Sequence, residues 1–258
     1  MRPYKKSTKV MRKLLSSLRK DLLHIKILLL MNISYARVTW IMLLITLAII
    51  PVGVAHLLYQ LTNSTSLPKV YIITSQITLT ALSVSITVIS GTVAAIRQEQ
   101  LYEQLLLTPV RTYVYTTTIL ILAILSSVCG FLFSLATSYI FFKASYIQLI
   151  AISIIQLFLT VGLVPIGILA GTTKRQITSD TISSGIYFFF LFLTDAISPM
   201  DPQKYPYILL LPTHNAIEAI KSVLINKHIF TYNFLFITIF AVIGFILANS
   251  LRAWKIRD

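Results

Sequence analysis

The fold is decided by residues 112–173, which read TYVYTTTILILAILSSVCGFLFSLATSYIFFKASYIQLIAISIIQLFLTVGLVPIGILAGTT. In this whole stretch the one charged residue is Lys143. An unbroken helix of about 60 residues would be about 90 Å long, several times the thickness of a bilayer. The chain is therefore expected to turn near Lys143, so that two apolar helices, 112–142 and 144–173, form a hairpin that crosses a membrane twice.

The composition of the whole chain points to the same environment. Charged residues make up 12% of the 258 residues, about half the share of a soluble domain, and 56% of the residues are hydrophobic. A soluble fold of this length cannot bury so much apolar surface, because its own surface has to be largely wetted. The excess is expected to face hydrocarbon, which predicts an all-α membrane protein, since spanning backbone must satisfy its own hydrogen bonds.

Six apolar segments are long enough to be spans. The first contains Pro51, which predicts a kink, and the fifth carries Asp195 near its end. The six predicted spans are 38–59, 70–96, 112–142, 144–173, 181–200 and 229–251.

The distribution of positive charge orients these spans. Six spans place both termini on one side, and that side carries 17 of the 22 lysines and arginines, ten of them in residues 1–37. By the positive-inside rule both termini are cytoplasmic, which makes the chain a multi-pass protein of the cell membrane. The net charge of +14 could suggest binding to nucleic acid, but this distribution of basic residues indicates attraction of the chain to anionic lipid instead.

The basic segment 1–37 is expected to contain an amphipathic interfacial helix. Its positively charged and polar face comprises Lys13, Ser17, Lys20 and His24. Its apolar face comprises Val10, Leu14, Leu18, Leu22, Ile25 and Leu29. Such a helix is either a simple membrane anchor or an elbow helix that also contacts a cytoplasmic partner.

The loop between the second and third spans reads RQEQLYEQLLLTPVR over residues 97–111. Glu99 and Glu103 are four residues apart, so a helix places both carboxylates on one side. Pro109 ends such a helix, because the residue before a proline disfavours the α conformation. The residues alone leave two readings open: a solvated loop helix, or a docking helix with an acidic edge.

This loop resembles the coupling helix of ABC-2-type permeases, which has the form Arg-Glu-x-Gly-Thr-x-Glu-x-Leu-Leu-x-Thr-Pro. The chain departs from that form at residues 98–101, where Gln-Glu-Gln-Leu replaces Glu-x-Gly-Thr. A second likeness lies in residues 211–221, LPTHNAIEAIK, with Lys221 in place of the usual arginine. The residues that match the coupling motif in order are Arg97, Glu103, Leu105, Leu106, Thr108 and Pro109.

The resemblance implies an ABC-2, type V exporter-like architecture. It implies that helix 97–108 docks on a separate ATPase subunit through these residues and Glu99, and that residues 201–228 form an outer helical excursion. It also implies a second permease copy, identical or related, as a partner.

The chain itself is expected to have no catalytic centre and to bind no cofactor. Gly162 and Gly167 have the spacing of a P-loop, but Ile168 stands where the phosphate-binding lysine is required. ATP and magnesium would therefore be bound by the partner ATPase. The four histidines are scattered, which predicts no metal site, and the spans lack charge at mid-depth, which argues against a proton-coupled carrier or an intramembrane enzyme.

Two groups of residues are candidates for lining a substrate path, although the first is more typical of helix packing and the second of contact with lipid or the core. The first is a stripe along the second span: Gln76, Thr80, Ser83, Thr87 and Ser90. The second comprises Phe189 and Phe192 in the aromatic fifth span. The alternative function is a non-transporting scaffold or assembly subunit that recruits a soluble partner through the acidic loop.

Overall fold

A computed structural model describes residues 17–31, 69–98, 112–173, 176–193, 202–226 and 231–250, together with residues 53, 200, 228 and 229. All regular structure in these segments is helical. The eight α-helices described are α1 (17–31), α2 (Lys69–Leu82), α3 (Ile89–Gln98), α4 (Thr112–Phe142), α5 (Tyr146–Gly171), α6 (Gln176–Leu193), α7 (Pro212–Lys221) and α8 (Tyr232–Ser250).

Three helical segments are long and apolar enough to cross a membrane: Ile73–Arg97, Tyr146–Gly171 and Tyr232–Ser250. Two shorter apolar stretches, Tyr113–Val128 and Ile177–Phe192, lie within α4 and α6. The part of the chain that the structure describes is therefore an α-helical bundle of membrane-protein character. The predicted first span, 38–59, lies outside the described residues except for residue 53.

The predicted turn near Lys143 between two helices is confirmed. Helix α4 ends at Phe142, where Lys143 adopts a left-handed backbone with φ of 47° and donates its N–H to the carbonyl of Tyr139 at 2.9 Å. A left-handed residue of this kind commonly ends a helix. Ser145 then caps α5 by a capping box with Gln148, so the chain reverses within three residues.

Helix α6 corrects the predicted start of the fifth span. The helix begins at Gln176 rather than at residue 181, and its description ends at Leu193, so Asp195 lies outside the described residues. The added turn is polar, but it packs inward: the hydroxyls of Ser179 and Ser90 are 2.9 Å apart. A helix start predicted from apolar residues alone misses a polar turn whose side chain is hydrogen-bonded to a neighbouring helix.

Helix α5 is the centre of the bundle. A Cβ added at Gly171 would lie 2.7 Å from the carbonyl oxygen of Ser90, and one added at Gly167 would strike the carbonyl oxygen of Ser85. On another side of α5, a Cβ added at Gly244 of α8 would lie 2.6 Å from the Cα of Gly162. Glycines at these contacts let the backbones approach closely, as in membrane helix packing.

Much of the segment 201–228, predicted to be an outer helical excursion, is helical. This helical part consists of a 3₁₀ turn over Pro206–Leu210, helix α7 and a π-helical turn over Ser222–Asn226. Helix α7 packs against α2, α5 and α8, and its first turns are fully buried in the bundle.

Candidate functional site

Several helix ends meet at one end of the bundle, which we call the loop end. A guanidinium nitrogen of Arg97, at the end of α3, donates to the carbonyl of Thr172, just after α5. The hydroxyl of Tyr113, at the start of α4, donates to Asp21 of α1. The loop end therefore carries both ends of the predicted coupling loop, because α3 leads into it and α4 follows it.

Arg97 is directed into the bundle. Its side chain is half-buried, and it donates to a carbonyl that terminates α5, where the helix dipole leaves partial negative charge. Arg97 is thus a cap for α5 as well as the first residue of the predicted coupling motif. No local sequence signal predicts this contact, because Arg97 and Thr172 are 75 residues apart.

The other predicted coupling residues lie outside the described residues, and their roles stay predictions. They are Glu99, Glu103, Leu105, Leu106, Thr108 and Pro109.

Helix α1 lies against the bundle by a face that the sequence did not predict. Leu28 is buried, Asp21 accepts from Tyr113, and Ser17 and His24 are half-buried on the same side. Ser17 and His24 were predicted on the polar face of α1, and their partial burial shows that this face turns partly toward the bundle. Five other side chains of α1, all apolar, are more than half exposed: Leu18, Leu22, Leu23, Ile27 and Leu30. A helix that lies between a protein and a membrane has two faces that avoid water, and sequence periodicity cannot assign them separately.

The polar stripe of the second span lies inside a single chain. Gln76, Thr80, Ser83 and Ser90 are buried, and Thr87 is half-buried. The Thr80 hydroxyl donates to its own helix, to the carbonyl of Gln76 at 2.9 Å, whereas the Ser90 hydroxyl bonds across to Ser179. The stripe therefore faces neighbouring helices in this conformation, and its role as a path stays a prediction.

The two candidate phenylalanines are on a different surface. Phe189 and Phe192 are 58% and 65% exposed on the outside of α6. Their rings contact aromatic neighbours of the same helix, Phe190 at 5.9 Å and Phe188 at 6.3 Å between centroids. These rings are exposed whereas the stripe is buried, so the part of the chain that the structure describes does not present the two sets on one surface, and their role as a path stays a prediction.

Sequence reasoning missed a π-helical turn that packs against α5. Between α2 and α3 the chain forms a π-helical turn over Ser83–Val88. From this turn Ser85 donates to the carbonyls of Ala81, at 2.7 Å, and Thr160, at 3.0 Å. Thr160 lies just over one turn before Pro165, which has no N–H and leaves a carbonyl of α5 without its helical partner. A π-helical turn and a proline are both typical places for a helix to bend.

Among the residues that the structure describes, no group of three or more His, Cys, Asp or Glu side chains lies together in a way that could hold a metal ion.

Comparison with known proteins identifies no relative: no family model, no curated protein and no solved structure matches this chain.

Proposed function

We propose that this chain is the membrane-spanning subunit of an ATP-driven exporter of the ABC-2 type. In this proposal the chain has six spans in the cell membrane and both termini in the cytoplasm. It forms the substrate path with a second permease copy, identical or related, and a separate ATPase subunit binds ATP and magnesium. Anionic lipid is a further partner, held by the basic N-terminal segment.

The observation that carries the proposal is the contact between Arg97 and the end of α5. The motif-bearing loop begins at Arg97, so a push on that loop reaches α5 through a charge-assisted hydrogen bond. Helix α5 in turn packs closely against α2, α3 and α8. A docked ATPase would therefore act on the central helix of the bundle.

The proposed mechanism requires a difference between two states. An ATPase drives a conformational change only if its two states contact the loop differently. Closure of the ATP-bound pair would move the loops of two permease copies, and α5 would tilt with the α2–α3 helix. The facing irregularities at Ser83–Val88 and Pro165 are where these helices would bend.

The second candidate function is a membrane scaffold that recruits a soluble partner through the acidic loop and transports nothing. One observation favours it: the polar stripe is engaged in helix packing within a single chain. A scaffold needs no path, so for a scaffold this burial is the complete role of the stripe.

A crosslinking experiment tests the proposal. A photoreactive residue would be placed at Gln104, inside the predicted coupling helix, in the full-length protein in its native host. A matched variant would carry it at Lys143, in the hairpin turn at the opposite end of α4 and α5. We expect position 104 to crosslink to a chain that contains a P-loop, and position 143 to give no such adduct. A crosslink from position 104 to a partner without a P-loop would favour the scaffold, and equal adducts at both positions would contradict the docking role.

A further inference from the structure

Five side chains carry buried polar atoms that lack hydrogen-bond partners within the part of the chain that the structure describes: His24, Ser75, Gln76, Gln156 and Thr213. Three of these, Gln76 of α2, Gln156 of α5 and Thr213 of α7, lie on helices that pack against one another and are 2%, 1% and 0% exposed. Their unpartnered atoms are Nε2 of Gln76, both Nε2 and Oε1 of Gln156, and Oγ1 of Thr213. Each of these atoms is a full hydrogen-bonding group enclosed by protein.

The register of the helices places Gln76 and Gln156 at the same level. The α2–α3 helix and α5 are parallel, because Ser85 contacts residues 160 and 167 and Ser90 contacts residue 171. These contacts relate the two helices by an offset of 75 to 82 residues. When this offset is added to 76, Gln76 lies opposite residues 151–158 of α5, and Gln156 is one of these residues.

Thr213 belongs to the same region. Ile73 and Ile77, which flank Gln76, share one core cluster with Ile155, which precedes Gln156, and with Ile217 of α7. Thr213 is one helical turn before Ile217 and so lies on the same face of α7. The three side chains therefore belong to α2, α5 and α7, three helices that pack on one another through this shared core.

The energetic cost of this arrangement calls for a partner that the chain does not supply. An unpaired amide or hydroxyl in an apolar environment costs several kcal/mol, and α5 is apolar enough to cross a membrane. Leucine or valine would fill the same volume without that cost. Native structures leave few buried groups of this kind unpaired, and a group that stays unpaired calls for an explanation, such as strain, a functional role or a bound partner.

The chemistry of the three side chains defines what they can bind. Glutamine amides and a threonine hydroxyl offer both donors and acceptors but no net charge. The ion pair of α7, Glu218 with Lys221 at 2.5 Å, joins two residues of the second half of that helix to each other. A charged ligand group would therefore enter without a counter-ion, which is costly, whereas a hydroxyl or an amide would be satisfied.

We propose that Gln76, Gln156 and Thr213 form a buried site for the uncharged hydrogen-bonding end of an amphiphile, a hydroxyl or amide group. The surrounding isoleucines would hold its apolar part. This inference rests on the proposed function, because the site is fully covered in this conformation. A ligand would enter and leave when the helices move during transport.

Photolabelling of the full-length protein in phosphatidylcholine nanodiscs tests the site. The probes are a diazirine-bearing monoacylglycerol, which is uncharged, and the lysophosphatidic acid with the same acyl chain, which is anionic. We expect the neutral probe to label peptides from α2, α5 or α7, and the anionic probe to label them about tenfold less. Gln156→Leu and Thr213→Val should each reduce labelling by the neutral probe about tenfold, the effect of one or two lost hydrogen bonds.

Thr78→Val is the matched control. Thr78 is also fully buried in α2, but its hydroxyl already donates to the carbonyl of Thr74 at 2.9 Å, so this variant should label like the wild type. Thermal stability provides a second measurement: Gln156→Leu should melt no lower than the wild type, because it removes unpaired polar atoms.

The inference is overturned if the wild type is not labelled in these helices, if the anionic probe labels them equally, or if Gln156→Leu labels like Thr78→Val. Labelling needs no ATPase, so its outcome is separate from that of the crosslinking experiment. Crosslinking to an ATPase without labelling would remove the site and leave the exporter, and the reverse result would leave a lipid-binding scaffold.

Discussion

The close contact between α5 and the π-helical turn can be tested by adding one methyl group. In Gly167→Ala the new Cβ would strike the carbonyl oxygen of Ser85 and lie 3.2 Å from the Cβ of Ile89. The first of these neighbours is backbone and cannot rotate away, so the two helices have to separate. Separation would also weaken the 3.0 Å hydrogen bond from Ser85 to the carbonyl of Thr160.

The expected loss of stability follows from two opposing effects. Alanine is favoured over glycine inside a helix by about 1 kcal/mol. Overpacking costs about 1 to 3 kcal/mol, and the rigid neighbour together with the weakened hydrogen bond places this site at the upper end. We therefore expect a net destabilisation of about 2 kcal/mol, which corresponds to a Tm lower by about 4 to 8 °C for a chain of this size.

Gly91→Ala is the matched control, because Gly91 is also in the α2–α3 helix and a Cβ added there meets nothing within 4 Å. We expect its Tm to be equal to or slightly above that of the wild type. The assay is the loss of the monodisperse peak in fluorescence-detected size-exclusion chromatography after heating in detergent. Equal Tm values for Gly167→Ala and Gly91→Ala would refute the close packing of α5 on the α2–α3 helix.

Three further outcomes are expected. Arg97→Gln should lower the Tm by a few degrees, because it removes the charge from the cap of α5, and Arg97→Lys should recover part of that loss. The same Tm for the wild type and both variants would exclude the capping role of Arg97. Glu103→Arg should abolish ATP-dependent transport at unchanged membrane abundance, because reversal of a docking charge adds repulsion, and full transport by this variant would exclude Glu103 from docking. In a Cys129→Ser background, a membrane-impermeant maleimide should label Lys143→Cys in intact cells and Thr173→Cys only after permeabilisation, and the opposite pattern would reverse the proposed orientation.

The sequence was sufficient to predict helices whose ends are set by the local sequence of apolar and charged residues. Residues 112–142 are helical as predicted, and the turn at Lys143 follows from the impossibility of one long helix. These predictions succeed because an apolar run and a single charge are local properties. The start of α6 was predicted wrongly for the complementary reason: the polar turn 176–180 is helical because Ser179 bonds to Ser90, which is 89 residues away.

The candidate site was less predictable, because it depends on the register between helices. The contact of Arg97 with Thr172 and the bond from Ser85 to Thr160 each join residues 75 positions apart. The polar stripe was visible as a pattern, but its burial could be known only from what packs on it. The inward face of α1 was likewise hidden, since leucines that face lipid and leucines that face protein look the same in a sequence.

The most direct test of the central claim is to identify what the protein binds in its own membrane. The tagged full-length chain would be purified in mild detergent from its native host, and the recovered proteins identified and quantified by mass spectrometry. The exporter proposal predicts a stoichiometric partner that contains a Walker A lysine, and predicts that Glu103→Arg lowers its recovery at least tenfold. Recovery of the chain without any P-loop ATPase, or with one that Glu103→Arg does not release, would contradict the proposal that this loop couples the chain to an ATPase.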